Sequence, residues 1–252
     1  MPHRKGKLIV LEGVTSTGKD VQAELLVRAL GTRAVLEAEP TSKGPFGICA
    51  RDYIEKKEKI HVHEAIDLAE TLFSRRPELK EKIISVLLVM RDKKRVSTLD
   101  LQMIFMADRF WHSVIIFAEQ LRTGANVICV RYELSTFAYG TMYGVPLDEL
   151  IVSQDRILGN RYIMPDLTIY IGILPHTAAL RLEKSGKVKD MNETEAGIAK
   201  ALEAYARVID FGRQHGRFGK IVETDGEPSI KKVHREILSE LKKNFGEKFI
   251  LR

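Results

Sequence analysis

Short apolar runs alternate along the chain with longer segments in which apolar residues recur every three or four positions. The short runs have the length of buried strands: Leu8–Leu11, Ala34–Leu36, Val127–Val130, Leu167–Ile171 and Ile221–Thr224. The clearest helical segments are Leu99–Arg122, Leu147–Asn160, His176–Lys184, Glu195–His215 and Ser229–Phe245. Strands separated by helices predict an α/β fold, with a parallel five-stranded sheet flanked by helices on both faces.

One segment, from about residue 55 to residue 95, looks like an addition to this alternation. It is charge-dense and helical, and Pro77 divides it into two predicted helices. No internal repeat, low-complexity tract or linker is visible elsewhere in the chain. We therefore expect one domain over residues 1–252 that carries a helical insertion at about 55–95.

The connection between the first strand and the first helix reads Gly-Val-Thr-Ser-Thr-Gly-Lys-Asp. It matches the phosphate-loop pattern G-x-x-x-x-G-K-[ST] except at its last position. Backbone N–H groups of such a loop hold phosphate at a helix N-terminus, and the lysine reaches the terminal phosphates. A glycine-rich turn without a ligand is the alternative. We expect nucleotide phosphates to contact Gly13, Val14, Thr15, Ser16, Thr17, Gly18, Lys19, Asp20 and Val21.

The departure in this loop is Asp20, which stands where the pattern has a hydroxyl that ligates Mg²⁺. A carboxylate is a good ligand for a hard cation, so Asp20 could hold Mg²⁺ directly. It would also place a negative charge beside the phosphates. Asp20 is therefore either a relocated metal ligand or a mark of lost catalysis, and we favour the relocated ligand.

Amino-acid composition gives only limited information on the partners and the compartment of this protein. The formal net charge is +6, with basic residues scattered along the chain, which suits a phosphate-rich small substrate. No signature of a nucleic-acid-binding module and no run of 18 apolar residues is present, so we expect neither a nucleic-acid partner nor a membrane one. Cys49 and Cys129 lack a metal-ligand spacing and fit a reduced cytoplasmic protein.

Four motifs occur in an order that resembles the thymidylate kinase family. They are Gly6–Gln22, Glu39-Pro40-Thr41, Phe105-Met106-Ala107-Asp108-Arg109 and Arg131 to Tyr139. The resemblance covers nearly the whole chain except about residues 55–94. It implies a P-loop kinase fold, ATP-dependent phosphorylation of dTMP to dTDP with Mg²⁺ as cofactor, and a homodimer.

A phosphoryl transferase must neutralise two sets of phosphates and align them, so cations should converge from several loops. Lys19 would serve the donor, and a planar guanidinium suits the acceptor phosphate. The candidates for the acceptor are Arg51, Arg109 and Arg131. Surface ion pairs are the alternative for these arginines, and plain core packing is the alternative for Phe105.

The resemblance implies further roles on the acceptor side. Phe105 would stack on the base, Tyr139 would pack beneath the deoxyribose, and Thr136 would contact the base. Glu39 and Ser135 complete the expected set of acceptor contacts.

The segment at about 184–194 occupies the position of the family's lid, which closes over the donor phosphates. A solvated charged loop is the alternative. The available cations are Arg181, Lys184, Lys187 and Lys189, of which we assign Lys187 a catalytic role. Asp190 and Glu193 reproduce a D-x-x-E spacing that lies near substrate or metal in some relatives.

The chain departs from the family pattern at three positions in the expected centre. Thr15 and Val130 replace family aspartates, and Asp20 adds a carboxylate. Catalysis by positioning and charge neutralisation remains the favoured hypothesis. Two alternatives stay open: a related kinase of another nucleoside or nucleotide, and a catalytically silent nucleotide-binding switch protein.

Overall fold

The computed structural model describes residues 5–186 and 194–250. Its five strands are β1 (Leu8–Glu12), β2 (Ala34–Ala38), β3 (Asn126–Val130), β4 (Leu167–Gly172) and β5 (Lys220–Asp225). They form one sheet in the order β2-β3-β1-β4-β5. The sheet is parallel and flanked by helices, so the predicted fold class is confirmed.

Eleven α-helices are present in the described part of the chain. They are α1 (Lys19–Leu30), α2 (Pro45–Ile54), α3 (His63–Leu72), α4 (Pro77–Arg91), α5 (Thr98–His112), α6 (Ala118–Thr123), α7 (Glu133–Met142), α8 (Leu147–Leu158), α9 (Pro175–Ser185), α10 (Glu195–His215) and α11 (Ile230–Phe245). None of these helices is long and apolar enough to cross a membrane.

The chain divides into two compact units. The first comprises the described residues of Met1–Glu37, Ala118–Met142 and Met164–Arg252, and the second comprises Ala38–Phe117 and Tyr143–Ile163. The expectation of one domain over the whole chain stays a prediction.

The centre of the first unit is the pair of strands β1 and β3. Every residue of both strands is buried, which requires cover on both faces of the sheet. Leu11 pairs with Val130, and the N–H of Arg131 donates to the Leu11 carbonyl at 2.9 Å, one residue beyond the end of β3. Since the strands are parallel, the residues that follow β1 and β3 emerge side by side at one edge of the sheet.

The second unit is helical and includes the whole segment at about 55–95. Pro77 begins α4, as predicted, because proline fits the first turn of a helix and ends the preceding one. The single predicted helix Leu99–Arg122 is wrong, since a π-helical turn at Ser113–Phe117 separates α5 from α6. The turn contains the β-branched run Val114-Ile115-Ile116, which α-helix accommodates less well than unbranched residues.

Candidate active site

The phosphate loop connects β1 to the first turn of α1. Gly13 has a φ of +144° and Gly18 a φ of +89°, values that side-chain-bearing residues rarely adopt. A Cβ at Gly13 would also lie 2.7 Å from the carbonyl oxygen of Ile171. Ser16 adopts a positive φ of 59°. Positive and negative φ angles alternate along the loop, and this alternation points successive N–H groups toward one position. Such a geometry forms an anion-binding nest.

Lys19 is the first residue of α1, and its side chain folds back over the loop. Its Nζ donates to the carbonyl oxygen of Val14 at 2.9 Å, and the residue is buried. The hydroxyl of Thr17 is also buried and has no hydrogen-bond partner among the described residues. Asp20, in the first helical turn, is exposed. The loop therefore carries a cation, an unpaired hydroxyl and an accessible carboxylate at one helix N-terminus.

Glu12, the last residue of β1, is completely buried and accepts four hydrogen bonds. They come from the N–H of Tyr132 at 2.8 Å, the N–H of Ser135 at 3.1 Å, the hydroxyl of Ser135 at 2.6 Å and the hydroxyl of Tyr205 at 3.2 Å. Burial raises the pKa of Glu12. The bonds from Ser135 and Tyr132 and the charge of Arg131 act in the opposite direction. The carboxylate thus ties the end of β1 to the start of α7 and to α10.

The same group holds the guanidinium of Arg131. Its Nη1 donates to the hydroxyls of Ser135 at 3.1 Å and Tyr205 at 3.2 Å, and its guanidinium lies 5.7 Å from the ring centroid of Tyr139. Burial disfavours the charged guanidinium, but nearby oxygens outweigh this effect and raise its pKa. Those oxygens belong to Tyr139, Tyr205, Glu12 and Asp20. Arg131 is therefore a fixed cation at the end of the strand beside β1.

In the second unit, Arg109 is buried and paired with Glu39. Its Nε and Nη2 both donate to Oε2 of Glu39, at 2.9 Å and 2.7 Å, and its Nη1 donates to Oε1 of Gln154 at 3.0 Å. Nδ1 of His112 lies 3.4 Å from Oε1 of Glu39. The arrangement is a buried ion pair, which differs from the surface pair that was the alternative at the level of sequence.

Asp108, the neighbour of Arg109, organises the loop after β2. Its two oxygens accept from the N–H of Thr41 at 2.7 Å and from the hydroxyl of Thr41 at 2.6 Å. Burial and the nearby charge of Glu39 raise the pKa of Asp108 to about 6, and its bonds to Thr41 and the charge of His112 act in the opposite direction. Asp108 thus fixes the backbone two residues beyond Glu39.

Arg51 and Phe105 both keep part of their side chains accessible. Arg51, on α2, donates from Nη2 to the carbonyl oxygen of Pro40, while its Nε is buried without a hydrogen-bond partner in the described chain. An unsatisfied buried donor costs free energy that an anionic ligand would recover. Phe105 is half-buried on α5.

The other predicted contact residues that the structure describes lie on α7 and α9 of the first unit. Thr136 is buried on α7, and Tyr139 is half-buried on the same helix. Arg181, on α9, donates to the carbonyl oxygens of Gly226 at 3.0 Å and Glu227 at 3.2 Å. Lys184 is exposed near the end of α9. Lys187, Lys189, Asp190 and Glu193 lie outside the described residues.

The sequence did not predict the site roles of Tyr205 and Gln154. It also did not predict that Glu12 would accept hydrogen bonds from several parts of the first unit. Tyr205 occupies a core position of the amphipathic helix α10, so its spacing predicts burial and nothing more. It reaches Glu12 across 193 residues of sequence. Gln154 likewise lies on the buried face of α8. Periodicity gives no signal that distinguishes these polar tips from ordinary core side chains.

The described residues fit Mg²⁺ in one particular way. No group of three or more His, Cys, Asp or Glu side chains in this part of the chain could hold a metal ion. Mg²⁺ in phosphoryl-transfer sites commonly takes one or two protein carboxylates and completes its shell with water and phosphate oxygens. Asp20, accessible beside Lys19, suits that arrangement.

Comparison with known proteins agrees with this geometry. The family model described as thymidylate kinase matches residues 71–237, more than half of the chain. A thymidylate kinase of Desulfotalea psychrophila is 25% identical over 96% of this chain and 97% of its own length. The thymidylate kinase of Schizosaccharomyces pombe is 25% identical over 94% and 91%, and a probable thymidylate kinase of Pyrococcus abyssi is 26% identical over 94% and 97%.

The solved structure of thymidylate kinase from Candida albicans has the same fold. It superimposes with a TM-score of 0.66 at 19% identity and covers 97% of this chain and 94% of its own. The P-loop lies before the residues that the family model matches, whereas the matches to the curated relatives extend over nearly the whole chain. By its sequence and its fold, the chain belongs to the thymidylate kinase family.

Proposed function

We propose that this protein transfers the terminal phosphoryl group of ATP to dTMP, giving ADP and dTDP. The observation that carries the proposal is the position of two anion receptors in the first unit. The phosphate loop follows β1, and Arg131 follows the adjacent parallel strand β3. Two phosphates bound there would approach each other at the same edge of the sheet.

The loop and its lysine would hold the donor. Backbone N–H groups of residues 13–18 and the start of α1 bind phosphate oxygens, and Lys19 exchanges its bond to Val14 for the terminal phosphates. Glu12 contributes by fixing the main chain on both sides of the site through its bonds to Tyr132 and Ser135. Rigid placement of this kind accounts for a large part of phosphoryl-transfer catalysis.

The acceptor phosphate would be bound by arginine. In the first unit, Arg131 is already oriented by Ser135 and Tyr205. Arg51 belongs to the second unit, where its unsatisfied buried Nε makes it a separate candidate for an anion. We propose Phe105 as the base-stacking residue because it matches the aromatic residue of the family motif and is only half-buried. Arg109, which is paired with Glu39 and Gln154, would hold Glu39 and the following loop in place rather than neutralise phosphate.

We further propose that Asp20 is the protein ligand of Mg²⁺. The ion would shield the charge of the phosphate oxygens when it is bound. Asp20→Ser restores the hydroxyl of the common motif and should shift the Mg²⁺ concentration needed for half-maximal turnover. Titration of Mn²⁺ into the nucleotide complex, followed by electron paramagnetic resonance, reads metal binding independently of turnover. Unchanged metal affinity in both assays would contradict the assignment.

A coupled assay with ATP, Mg²⁺ and a panel of nucleoside monophosphates tests the reaction. We expect turnover that is greatest with dTMP and is lost in Lys19→Met. Lys232→Met is the matched control, because Lys232 is exposed on α11 and has no proposed role in the reaction. Preference for another monophosphate would identify a related kinase. Nucleotide binding without turnover of any monophosphate would identify a silent switch protein, as the loss of carboxylates at Thr15 and Val130 suggests.

We also infer a homodimer in the cytoplasm, as the family resemblance implies. Light scattering coupled to size-exclusion chromatography tests the mass, and cell fractionation tests the location. A monomer at micromolar concentration would contradict the dimer.

A further inference from the structure

A second candidate binding site lies in the second unit, at the end of α8. It is a cavity of about 480 Å³, within the range of small-molecule sites. Its apolar surface comes from Leu72, Phe110 and Leu158, and its charged groups are Arg75, Arg76 and Arg161. None of its lining residues is acidic. Two of these arginines belong to the segment at about 55–95, for which the reaction described above gives no role.

Arg76 is the fixed cation of this cavity. Its Nη1 donates to the carbonyl oxygens of Arg156 at 2.7 Å and Ile157 at 2.9 Å, which caps the end of α8. Its guanidinium also lies 5.1 Å from the ring centroid of Phe73 and 5.4 Å from that of Phe110. These contacts hold the guanidinium in one orientation against an aromatic surface. Partial burial lowers the pKa of Arg76, as expected for a cation without a counter-ion.

Arg75 and Arg161 are exposed beside it. Within residues 5–186 and 194–250, no carboxylate lies within 4.0 Å of the guanidinium of Arg75, Arg76 or Arg161. Three cations that converge on one cavity repel one another unless an anion joins them. The carbonyl groups at the C-terminal end of α8 carry a partial negative charge that would repel an anion. Arg76 donates to two of these carbonyls, so this charge is largely neutralised.

We propose that this cavity binds a small polyanion that carries several phosphate groups. The phosphate groups would pair with Arg75 and Arg161 beside the fixed guanidinium of Arg76. Guanidinium groups bind phosphate oxygens in pairs, which favours a phosphorylated ligand over a carboxylate of one charge.

The cavity shares two helices with the buried Glu39–Arg109 pair. Phe110 follows Arg109 on α5, and α8 carries both Leu158 at the cavity and Gln154, which accepts from Arg109. A ligand that orders the end of α8 would therefore also bias the position of Gln154. This consequence rests on the proposed function, and it appears as a changed KM for dTMP. Binding itself does not depend on that function.

Isothermal titration of the full chain with inorganic tripolyphosphate and, separately, dTTP tests binding. We expect one equivalent more of dTTP in the wild type than in Arg75→Ala/Arg161→Ala, independently of any binding at the phosphate loop. Arg91→Ala/Arg95→Ala is the matched control, since it removes two exposed arginines from the same segment without touching the cavity. Arg75→Lys/Arg161→Lys preserves charge and should bind dTTP at least about tenfold more weakly than wild type, because lysine lacks the guanidinium fork.

Hydrogen exchange locates the additional equivalent of dTTP on the chain. We expect protection of residues 72–79 and 157–162 on addition of dTTP in the wild type and in Arg91→Ala/Arg95→Ala, and none in Arg75→Ala/Arg161→Ala. A thermal midpoint equal to that of the control shows that the double variant is folded. Equal stoichiometry in the wild type and in Arg75→Ala/Arg161→Ala, or the same protection in both double variants, overturns the proposal. Protection by a single-stranded oligonucleotide but not by dTTP or tripolyphosphate overturns it as well.

Discussion

Replacement of Arg109 by methionine is the sharpest test of the buried ion pair. The side chain of Arg109 is 1% exposed and that of Glu39 is 6% exposed, so solvent can replace little of what the substitution removes. Methionine fills most of the volume of the arginine stem but leaves Oε2 of Glu39 without its two donors at 2.9 Å and 2.7 Å. The variant therefore contains a buried carboxylate that has lost its guanidinium partner.

The expected loss of unfolding free energy is about 3–5 kcal/mol, the range seen when one partner of a buried pair is removed. Two charge-assisted hydrogen bonds, at roughly 1.5–3 kcal/mol each, give a similar magnitude. Arg109→Met with Glu39→Gln removes the buried charge as well. The double variant should therefore be more stable than Arg109→Met alone by roughly 2 kcal/mol, because the desolvation penalty disappears.

Equilibrium unfolding in urea at pH 7 measures this double-mutant cycle. Trp111, the single tryptophan of the chain, lies on α5 two residues after Arg109, so its fluorescence reports on the unit that contains the pair. Arg91→Met, on the exposed end of α4, is the matched control and should change stability by less than about 0.5 kcal/mol.

Two results together would refute the reasoning. One is a cost below about 1 kcal/mol for Arg109→Met, and the other is additivity of the two single changes within about 0.5 kcal/mol. A variant with unchanged stability and a KM for dTMP raised by an order of magnitude would show that Arg109 contacts the acceptor directly. The sequence motif would then have assigned its role better than the ion pair does.

Three further predictions concern two buried polar groups and the phosphate loop. The folded state binds the proton of Asp108 more tightly than the unfolded state does. The stability of the wild type should therefore fall by up to about 3 kcal/mol as pH rises from 4 to 6.5. Urea titrations across this pH range should show a smaller fall for Asp108→Asn. Tyr205→Phe should cost about 1–2 kcal/mol in thermal unfolding because Glu12 loses a buried donor, and no loss would contradict the network. Gly13→Ala should weaken ATP binding at least about tenfold in calorimetry, since alanine disfavours a φ of +144°; unchanged affinity would refute the required loop geometry.

The sequence predicted the sheet well because buried parallel strands are short apolar runs that can be recognised locally. Leu8–Leu11 and Val127–Val130 differ from the observed β1 and β3 by one residue. The phosphate loop was equally visible, since its glycines and lysine are adjacent in sequence. The helix Leu99–Arg122 failed because periodicity does not register the one-residue shift of a π-helical turn.

Sequence alone thus determined the fold class, the phosphate loop and the resemblance to the family. These depend on local spacing and on the order of motifs. Tertiary structure decided which polar groups form hydrogen bonds and ion pairs with one another. It placed Glu12 and Tyr205 in one hydrogen-bonded cluster with Arg131, and it committed Arg109 to Glu39. Such partners lie far apart in the chain, and only the folded backbone brings their side chains within hydrogen-bond distance, where burial then fixes their charge states.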